Sequence, residues 1–251
     1  MTNEVTSGSP AGRSIYRGGR GPFAVVDTDD TAQHGFWATW ANETWEPFGL
    51  SVLEAHCYER GPEGLVFDVG AWVGPYTLLA ADYGCQVVAI EPDPVAYRGL
   101  VETLSRNYLL SRNVATLQKA VVGPTTWTSV ELRRRGSWGD SMSSITREMN
   151  PGDDPTRMVE AISMQQLVEL FGTPSLVKMD IEGGEASVLP FAGGFLRSLQ
   201  PRVQLLLSLH PDWYGDAVEG AKLRAELENW EMELVEGSSF GNGTWLCRPK
   251  G

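Results

Sequence analysis

Two short apolar runs, joined by a turn with two glycines and a helix-forming segment, constrain the fold more than any other part of this sequence. The first run, residues 65–69, leads into Gly70 and Gly74, and the second run, residues 87–90, ends in Glu91. This order is typical of a β-α-β unit that binds a nucleoside. The glycines let the backbone approach the ligand closely, and an acid about 20 residues further on binds the ribose hydroxyls.

The acid inside the first run indicates which kind of nucleoside ligand suits the turn. Dinucleotide sites have the pattern G-x-G-x-x-G, because the pyrophosphate binds bare backbone amides at the start of the helix. Here Asp68 takes the place of the first of these glycines. A carboxylate repels a pyrophosphate but can serve a cationic ligand, such as the amino group of S-adenosylmethionine. The turn therefore favours a methyl donor over NAD.

From Gly64 onward, short apolar runs alternate with helix-like segments, which predicts an α/β fold: a Rossmann-like, doubly wound, mostly parallel sheet. Strands are predicted at residues 65–69, 86–90, 115–122, 175–181 and 202–209, and helices at residues 74–83, 94–108, 163–171, 185–199 and 216–230. Small strands near residues 130–132 and 159 bracket a polar loop at 136–155, which either closes over a ligand or is a disordered connector. Residues 232–235 and 244–247 flank three glycines and predict a C-terminal antiparallel hairpin.

The chain divides into three predicted parts. Residues 1–22 are rich in Gly, Ser and Arg, lack the apolar core of a signal peptide, and are expected to form a flexible tail. Residues 23–62 contain closely spaced aromatic residues and predict an N-terminal helical cap, in which His34 and His56 are structural. Residues 63–251 form the Rossmann-like domain. Four tryptophans are expected near the mouth of the ligand pocket, where their faces can stack on a sugar or on adenine: Trp37, Trp40, Trp45 and Trp72. For any single one of them, packing in the core is the default expectation.

A second group of polar residues lies at later strand ends, where open parallel sheets bind ligands. If the strand continues to Glu182, then Lys178, Asp180 and Glu182 share one face by period-two alternation. The acids, Glu185 included, could instead pair with Lys178 and stabilise the start of the next helix. His210 ends the neighbouring strand and is expected to face Asp180 and Glu182. A histidine with two carboxylates forms either a general-base site or a divalent-metal site, and the sequence leaves both open.

Together these segments resemble the FkbM-type methyltransferases over about residues 45–211. The resemblance is carried by Phe67-Asp68-Val69-Gly70-Ala71, Glu91-Pro92-Asp93-Pro94, Lys178-Met179-Asp180-Ile181-Glu182-Gly183 and the strand that ends in His210. It implies a Rossmann-like fold, S-adenosylmethionine as cofactor, and usually O-methylation of sugars or natural products. It also implies a cofactor pocket that includes Asp68, Gly70, Glu91 and Asp180. Trp72 departs from the pattern, since many relatives carry Asn there.

The resulting hypothesis is an S-adenosylmethionine-dependent O-methyltransferase that acts on a hydroxyl of a carbohydrate or polyol-like small molecule. The predicted cofactor-binding residues are Asp68, Gly70, Ala71, Trp72, Gly74, Tyr76, Thr77, Glu91, Pro92, Ala120 and Asp180. The predicted catalytic residues are His210, Asp180 and Glu182: either His210 is the base and an acid orients it, or all three hold Mg²⁺, which acidifies the hydroxyl. The alternatives are a non-catalytic protein that binds S-adenosylmethionine and an NAD-dependent oxidoreductase.

Composition narrows the partners and the compartment. The formal net charge of −12 disfavours nucleic acid, and no apolar stretch approaches the length of a membrane span. The three cysteines, Cys57, Cys85 and Cys247, fit neither a disulfide framework nor a zinc site, which indicates the cytoplasm. The expected partner is a small-molecule acceptor such as a sugar or oligosaccharide. A homodimer is one assembly that the sequence allows.

Overall fold

A seven-stranded sheet forms the centre of the protein. The structure is a computed structural model, and it describes residues 12–26, 35–145, 156–214, 217–239 and 242–250. The strands are β1 (Gly12–Arg17), β2 (Arg20–Val26), β3 (Leu65–Val69), β4 (Gln86–Ile90), β5 (Val114–Leu117), β6 (Ala120–Val122), β7 (Ser129–Arg133), β8 (Thr156–Ser163), β9 (Leu176–Met179), β10 (Gln204–Leu209), β11 (Trp230–Ser239) and β12 (Asn242–Pro249). The helices are α1 (Phe36–Ala41), α2 (Pro47–Arg60), α3 (Pro75–Asp82), α4 (Pro94–Arg106), α5 (Tyr108–Ser111), α6 (Met164–Phe171), α7 (Glu185–Ser198) and α8 (Ala217–Leu227).

The order of strands in the central sheet is β11-β12-β10-β9-β3-β4-β5. Strands β10, β9, β3, β4 and β5 are parallel to one another, and β12 and β11 add an antiparallel hairpin at the β10 edge. After β3 the chain builds one half of the sheet through β4 and β5, and later returns to build the other half from β9. The winding therefore reverses between β3 and β9, where doubly wound sheets bind their ligands. This arrangement confirms the predicted fold class.

Both faces of the sheet are covered by helices, so its parallel strands are apolar on both sides. Side chains alternate along β3: Val66 packs in the core cluster that includes α2 and α3, while Phe67 and Val69 pack in the cluster that includes α6 and α7. Helix starts follow from local sequence. Asp93 caps α4 by accepting hydrogen bonds from two backbone N–H groups, and Ser163 forms a capping box with α6. Within the described residues, no helix combines the length and apolar character that crossing a bilayer requires.

The N-terminal region differs from the prediction. Residues 12–26, most of which were assigned to a flexible tail ending at residue 22, form the β1–β2 hairpin. Its apolar side chains Ile15, Phe23 and Val25 are buried, and the Phe23 ring packs edge-on to Trp40 at 5.2 Å. The segment looked unstructured because its short apolar alternation is interrupted by glycines. The cap thus combines a hairpin with α1 and α2, while the tail's first eleven residues and His34 lie outside the described residues.

Two predicted strands also have different limits. The strand predicted at 115–122 is divided by the polar pair Gln118 and Lys119 into β5, which pairs with β4, and β6, which pairs with β8. Strands β6, β8 and β7 form a separate three-stranded sheet beside the central one. The strand predicted at 175–181 ends at Met179, so Asp180 and Glu182 follow it in a turn.

Asn107 attaches the N-terminal hairpin to α4. Its side-chain amide accepts a hydrogen bond from the Ala24 N–H at 2.9 Å and donates to the Ala24 carbonyl at 2.8 Å. A third bond runs from the same amide to the Thr103 carbonyl at 2.8 Å. Because Asn107 is buried, its amide satisfies backbone groups that water does not readily reach.

We expect Asn107→Ala to lower the free energy of unfolding by about 1–3 kcal/mol, since buried backbone groups of Ala24 lose their partner. The matched control is Asn113→Ala, whose side chain makes only an exposed 3.4 Å contact with Gln86, and its effect should stay within about 0.5 kcal/mol. Urea unfolding followed by circular dichroism measures both variants. Equal losses would show that Asn107 does not hold the hairpin in place.

Candidate functional site

A cavity opens at the carboxyl ends of β3, β4, β9 and β10, beside the point where the winding reverses. Its lining brings together most of the predicted site residues: Gly70, Ala71, Trp72, Tyr76, Glu91, Pro92, Ala120, Asp180, Glu182 and His210. Asp68, Gly74 and Thr77 lie behind this lining.

Lys178, on β9, joins the two loops that form the floor of the cavity. Its Nζ donates a hydrogen bond to the Gly70 carbonyl at 2.7 Å and lies 3.5 Å from Asp68 Oδ1 and 3.9 Å from Asp180 Oδ2. Burial by itself lowers the pKa of the ammonium group, but the charges of Asp68, Asp180 and Glu46 outweigh burial and raise it. Lys178 therefore stays charged and holds both strand ends together.

The Asp68 side chain is buried within the fold and does not line the cavity, although the prediction assigned it to the cofactor pocket. Its side chain is 1% exposed, and its Oδ2 accepts a hydrogen bond from the Thr77 hydroxyl at 2.6 Å. Burial raises the pKa of the carboxyl, and the charge of Lys178 opposes that shift. Along β3, Asp68 points to the same face as Val66, and α3 covers that face. Asp68 therefore reaches the site only through Lys178.

Gly70 is required at the crossing of the two loops. Its φ of +79° lies in the left-handed region, and a Cβ atom there would lie 1.9 Å from the carbonyl oxygen of Asp180. The backbone of the first loop thus passes directly against the end of β9. Any side chain at this position would push the two halves of the site apart.

Glu91, at the end of β4, closes the first loop from its other side. Its carboxylate accepts hydrogen bonds from the N–H groups of Trp72 at 2.9 Å and of Asp93 at 2.8 Å. Burial raises the pKa of Glu91 to about 7, although both hydrogen bonds oppose the shift. Each carboxylate oxygen can accept more than one bond, so Glu91 can also accept hydroxyl groups from the cavity side.

His210, Asp180 and Glu182 form a compact cluster at the far side of the cavity. The His210 Nε2 lies 3.6 Å from Asp180 Oδ1 and 3.7 Å from Glu182 Oε2. Their potential ligand atoms all lie within 4.8 Å of one another. Among the described residues, those two carboxylate oxygens are buried and have no hydrogen-bond partner. The cluster is therefore suited to a ligand that satisfies them, either a proton donor or a divalent cation.

Glu182 reaches this cluster by a different route from the predicted strand alternation. Because β9 ends at Met179, Glu182 lies in a turn, with a left-handed φ of +57°. The fully buried Glu185 fixes that turn, since its carboxylate accepts hydrogen bonds from the N–H groups of Ile181 at 2.8 Å and Gly183 at 3.0 Å. Glu185 thus has the structural role that the sequence left open for these acids.

The second nitrogen of His210 also faces an acid. Its Nδ1 lies 3.6 Å from Glu185 Oε1, on the side of the ring from which a carboxylate can orient a catalytic or metal-binding histidine. Burial lowers the pKa of His210, but the Glu185 interaction and the charges of Asp180 and Glu182 outweigh it and raise the pKa to about 9. Burial raises the pKa of Glu182 to about 8. A positively charged ligand beside the cluster would lower both values.

The loop after β7 forms a wall of the cavity over its described part. The Trp72 indole donates a hydrogen bond to the Gly139 carbonyl at 2.8 Å. Asp93 Oδ2 accepts from the Gly139 N–H at 3.0 Å and from the Ser143 hydroxyl at 2.9 Å. Arg135 donates to the Glu182 carbonyl at 2.8 Å, which ties the loop to the cluster. The rest of the predicted 136–155 loop, including Arg147, lies outside the described residues.

The aromatic residues divide between the core and the cavity. Trp45 and Trp72 line the cavity, whereas Trp37 and Trp40 are fully buried in the core, which is the default expectation for a single tryptophan, and not at the pocket mouth. The lining also contains charged residues that the prediction did not assign to the site: Glu46, Lys119, Asp140 and Lys178. The sequence signal that could have identified Glu46 is its position beside Pro47 within the aromatic cluster.

The cavity is rich in carboxyl groups, which belong to Glu46, Glu91, Asp140, Asp180 and Glu182. Its basic groups are Lys119, which is paired with Glu160, Lys178 and His210. Burial raises the pKa of Glu46 and Glu91 to about 7 and that of Glu182 to about 8. A cationic ligand would favour the ionised forms of these three groups, whereas a pyrophosphate would oppose their ionisation.

The profile of the Methyltransferase FkbM domain matches residues 68–234, more than half of the chain. No curated protein matches the chain significantly in sequence. A methyltransferase FkbM structure from Methylobacillus flagellatus KT is 16% identical with a TM-score of 0.47; the match covers 88% of this chain but only 56% of that one.

Two further structures show the fold. The Escherichia coli protein yhhF aligns with a TM-score of 0.51 at 10% identity, covering 96% of this chain and 99% of that one. An O-methyltransferase from Bacillus cereus, in complex with SAH, aligns with a TM-score of 0.50 at 11% identity, covering 86% and 87%. At these identities the two alignments establish a common architecture.

We expect Lys178→Met to lower the free energy of unfolding by about 3–5 kcal/mol, because Asp68 remains buried without its counter-charge. Lys222→Met, at an exposed position on α8, is the matched control and should change stability by about 0.5 kcal/mol or less. Adding Asp68→Asn to Lys178→Met should restore part of the loss, since it removes the unpaired charge. Urea unfolding of the single and double variants measures this. Purely additive losses would contradict the pairing.

Proposed function

This chain belongs to the FkbM methyltransferase family, and on that premise we propose that it is an S-adenosylmethionine-dependent O-methyltransferase acting on a carbohydrate or polyol-like small molecule. The observation that carries the proposal is the acidic cavity, which places a nucleoside-type loop opposite the His210, Asp180 and Glu182 cluster. The free, buried cysteines are consistent with a cytoplasmic setting.

The donor half of the cavity fits S-adenosylmethionine. That cofactor supplies a methyl group already activated on a positively charged sulfur. Glu91 would accept the ribose hydroxyls, and the backbone at Gly70 and Ala71 allows close approach of the ligand. Carboxyl groups of the lining can ionise to offset the positive charge of the sulfonium, whereas the pyrophosphate of NAD would oppose their ionisation. An NAD-dependent oxidoreductase is therefore the weaker alternative.

The acceptor half must align a hydroxyl group and take its proton. Alignment lowers the barrier of a displacement, and an alcohol is a poor nucleophile while it keeps its proton. His210 Nε2 is the proposed acceptor of that proton, with Asp180 and Glu182 stabilising the imidazolium and Glu185 orienting the ring. Alternatively, Asp180, Glu182 and His210 hold Mg²⁺, which would acidify the hydroxyl.

We expect S-adenosylhomocysteine to bind the protein with one-to-one stoichiometry in isothermal titration calorimetry, because the acidic cavity accommodates its adenosine and its ammonium group. NAD should give no measurable heat, since the carboxyl groups of the lining, Glu91 among them, leave no anion site at the first loop. Tight NAD binding together with no S-adenosylhomocysteine binding would overturn the assignment of the donor.

We expect His210→Ala to reduce turnover by about 10²–10⁴-fold, the range for loss of a general acid–base group, while S-adenosylhomocysteine affinity stays unchanged. The measurement is methyl transfer to a panel of mono- and oligosaccharides. Turnover that survives in this variant would contradict the role of His210.

EDTA treatment of the wild-type protein separates the two forms of the mechanism. Activity that EDTA removes and Mg²⁺ restores identifies the cluster as a metal site. Activity that EDTA leaves intact identifies His210 as the base. Donor binding without methyl transfer to any hydroxyl acceptor would instead favour a non-catalytic binding protein.

A further inference from the structure

The proposed donor carries an α-ammonium group, and the carboxylate expected to bind it is not accessible. Asp68 contacts Thr77 and Lys178 and lies behind the cavity lining. A buried carboxylate already held by an ammonium side chain is a poor partner for a second cation. Another acid of the lining must therefore neutralise the ligand's ammonium group.

Most acids of the lining have another role in the structure. Glu91 accepts two backbone N–H groups and faces the ribose position. Asp140 accepts from two N–H groups of its own loop, at Ser137 and Met142. Asp180 and Glu182 belong to the cluster around His210. The acid that remains is Glu46, which comes from the N-terminal cap and not from the Rossmann-like domain.

The backbone of Glu46 is held in an unusual conformation that turns its side chain toward the cavity. Glu46 occupies the N-cap position of α2, yet its carboxylate caps no backbone group there. Its φ of +41° is in the left-handed region. This conformation is unfavourable for a residue with a side chain, and it persists only where the surrounding structure enforces it. Pro47 follows directly as the first residue of the helix.

Tyr76, on α3, fixes the carboxylate. Its hydroxyl donates a hydrogen bond to Glu46 Oε2 at 2.8 Å. Gly49 makes room for this contact, because a Cβ atom at that position would lie 2.4 Å from the Tyr76 oxygen. The position of the Glu46 carboxylate thus depends on the Tyr76 hydroxyl, from α3, and on the absence of a side chain at Gly49, in α2.

The surroundings of Glu46 suit an ammonium group. The Trp45 and Tyr76 rings stand 6.0 Å apart, and aromatic faces beside a carboxylate favour ammonium groups. The Tyr76 ring already packs beside one ammonium group, since Lys178 Nζ lies 5.1 Å from its centre. Burial and the charge of Asp180 raise the pKa of Glu46 to about 7, and a bound ammonium group would favour its ionised form.

We propose that Glu46, oriented by Tyr76, binds the α-ammonium group of the methyl donor, so that the N-terminal cap forms the amino-acid subsite. This inference rests on the proposed function. In this arrangement the N-terminal cap is necessary for selecting a methyl donor with an amino-acid tail over other adenosine compounds.

The test compares two ligands that share the adenosine and thioether groups. S-adenosylhomocysteine carries the α-ammonium group, and 5′-methylthioadenosine lacks the whole amino-acid tail. In calorimetry, Glu46→Gln should weaken S-adenosylhomocysteine binding by about 10-fold or more, as expected for loss of a charge-assisted hydrogen bond, and leave 5′-methylthioadenosine binding unchanged. Glu236→Gln is the matched control, since it removes a nearby negative charge from outside the lining and should affect neither ligand.

Tyr76→Phe keeps the carboxylate but removes the hydroxyl that orients it, and should cause a smaller loss that is also specific to S-adenosylhomocysteine. Thermal unfolding of each variant shows whether the fold is intact. Equal weakening of both ligands, or no weakening of either, in folded Glu46→Gln would overturn the role of Glu46 and leave the donor assignment standing. Failure of the wild-type protein to bind either ligand would overturn the donor assignment itself.

Discussion

The buried ammonium group of Lys178 is the interaction on which the geometry of the site depends. It bonds the Gly70 carbonyl in the first loop and neutralises Asp68 and Asp180, which lie at the ends of two adjacent strands. The loops also touch through their backbones, since the Asp180 carbonyl leaves no space for a side chain at Gly70. A cluster at the end of β9 is therefore held at a fixed position relative to the nucleoside-type loop, as alignment of two reactants requires.

The sequence predicted the central sheet well because buried parallel strands are continuous apolar runs bounded by glycines and polar turns. Residues 65–69 and 86–90 were located correctly for this reason. The N-terminal hairpin was missed because its stability comes from distant contacts. Phe23 packs on Trp40, and Asn107 binds the backbone of Ala24, while nothing within the segment itself indicates either contact.

Sequence reasoning located side chains correctly where strand order decides their position, and not where side-chain direction decides it. The carboxyl ends of β9 and β10 are adjacent, so the proximity of Asp180 and His210 could be inferred from strand order. Asp68 was assigned to the ligand loop, but its side chain does not line the cavity, since the sequence does not show that α3 covers the face to which it points. Glu46 was missed because its place depends on a left-handed backbone and on Tyr76, 30 residues away.

The charges of the cavity connect its two halves. The acids around His210 raise its pKa to about 9, so at neutral pH the imidazole holds a proton and cannot accept another. The same acids favour a cation in the neighbouring half of the cavity, and that cation lowers the pKa of His210 by direct repulsion. Under the proposed function, binding of the positively charged donor would shift His210 toward the neutral form that can act as a base. His210 then gains a proton as the sulfur loses its charge, so the number of positive charges in the cavity is the same before and after transfer.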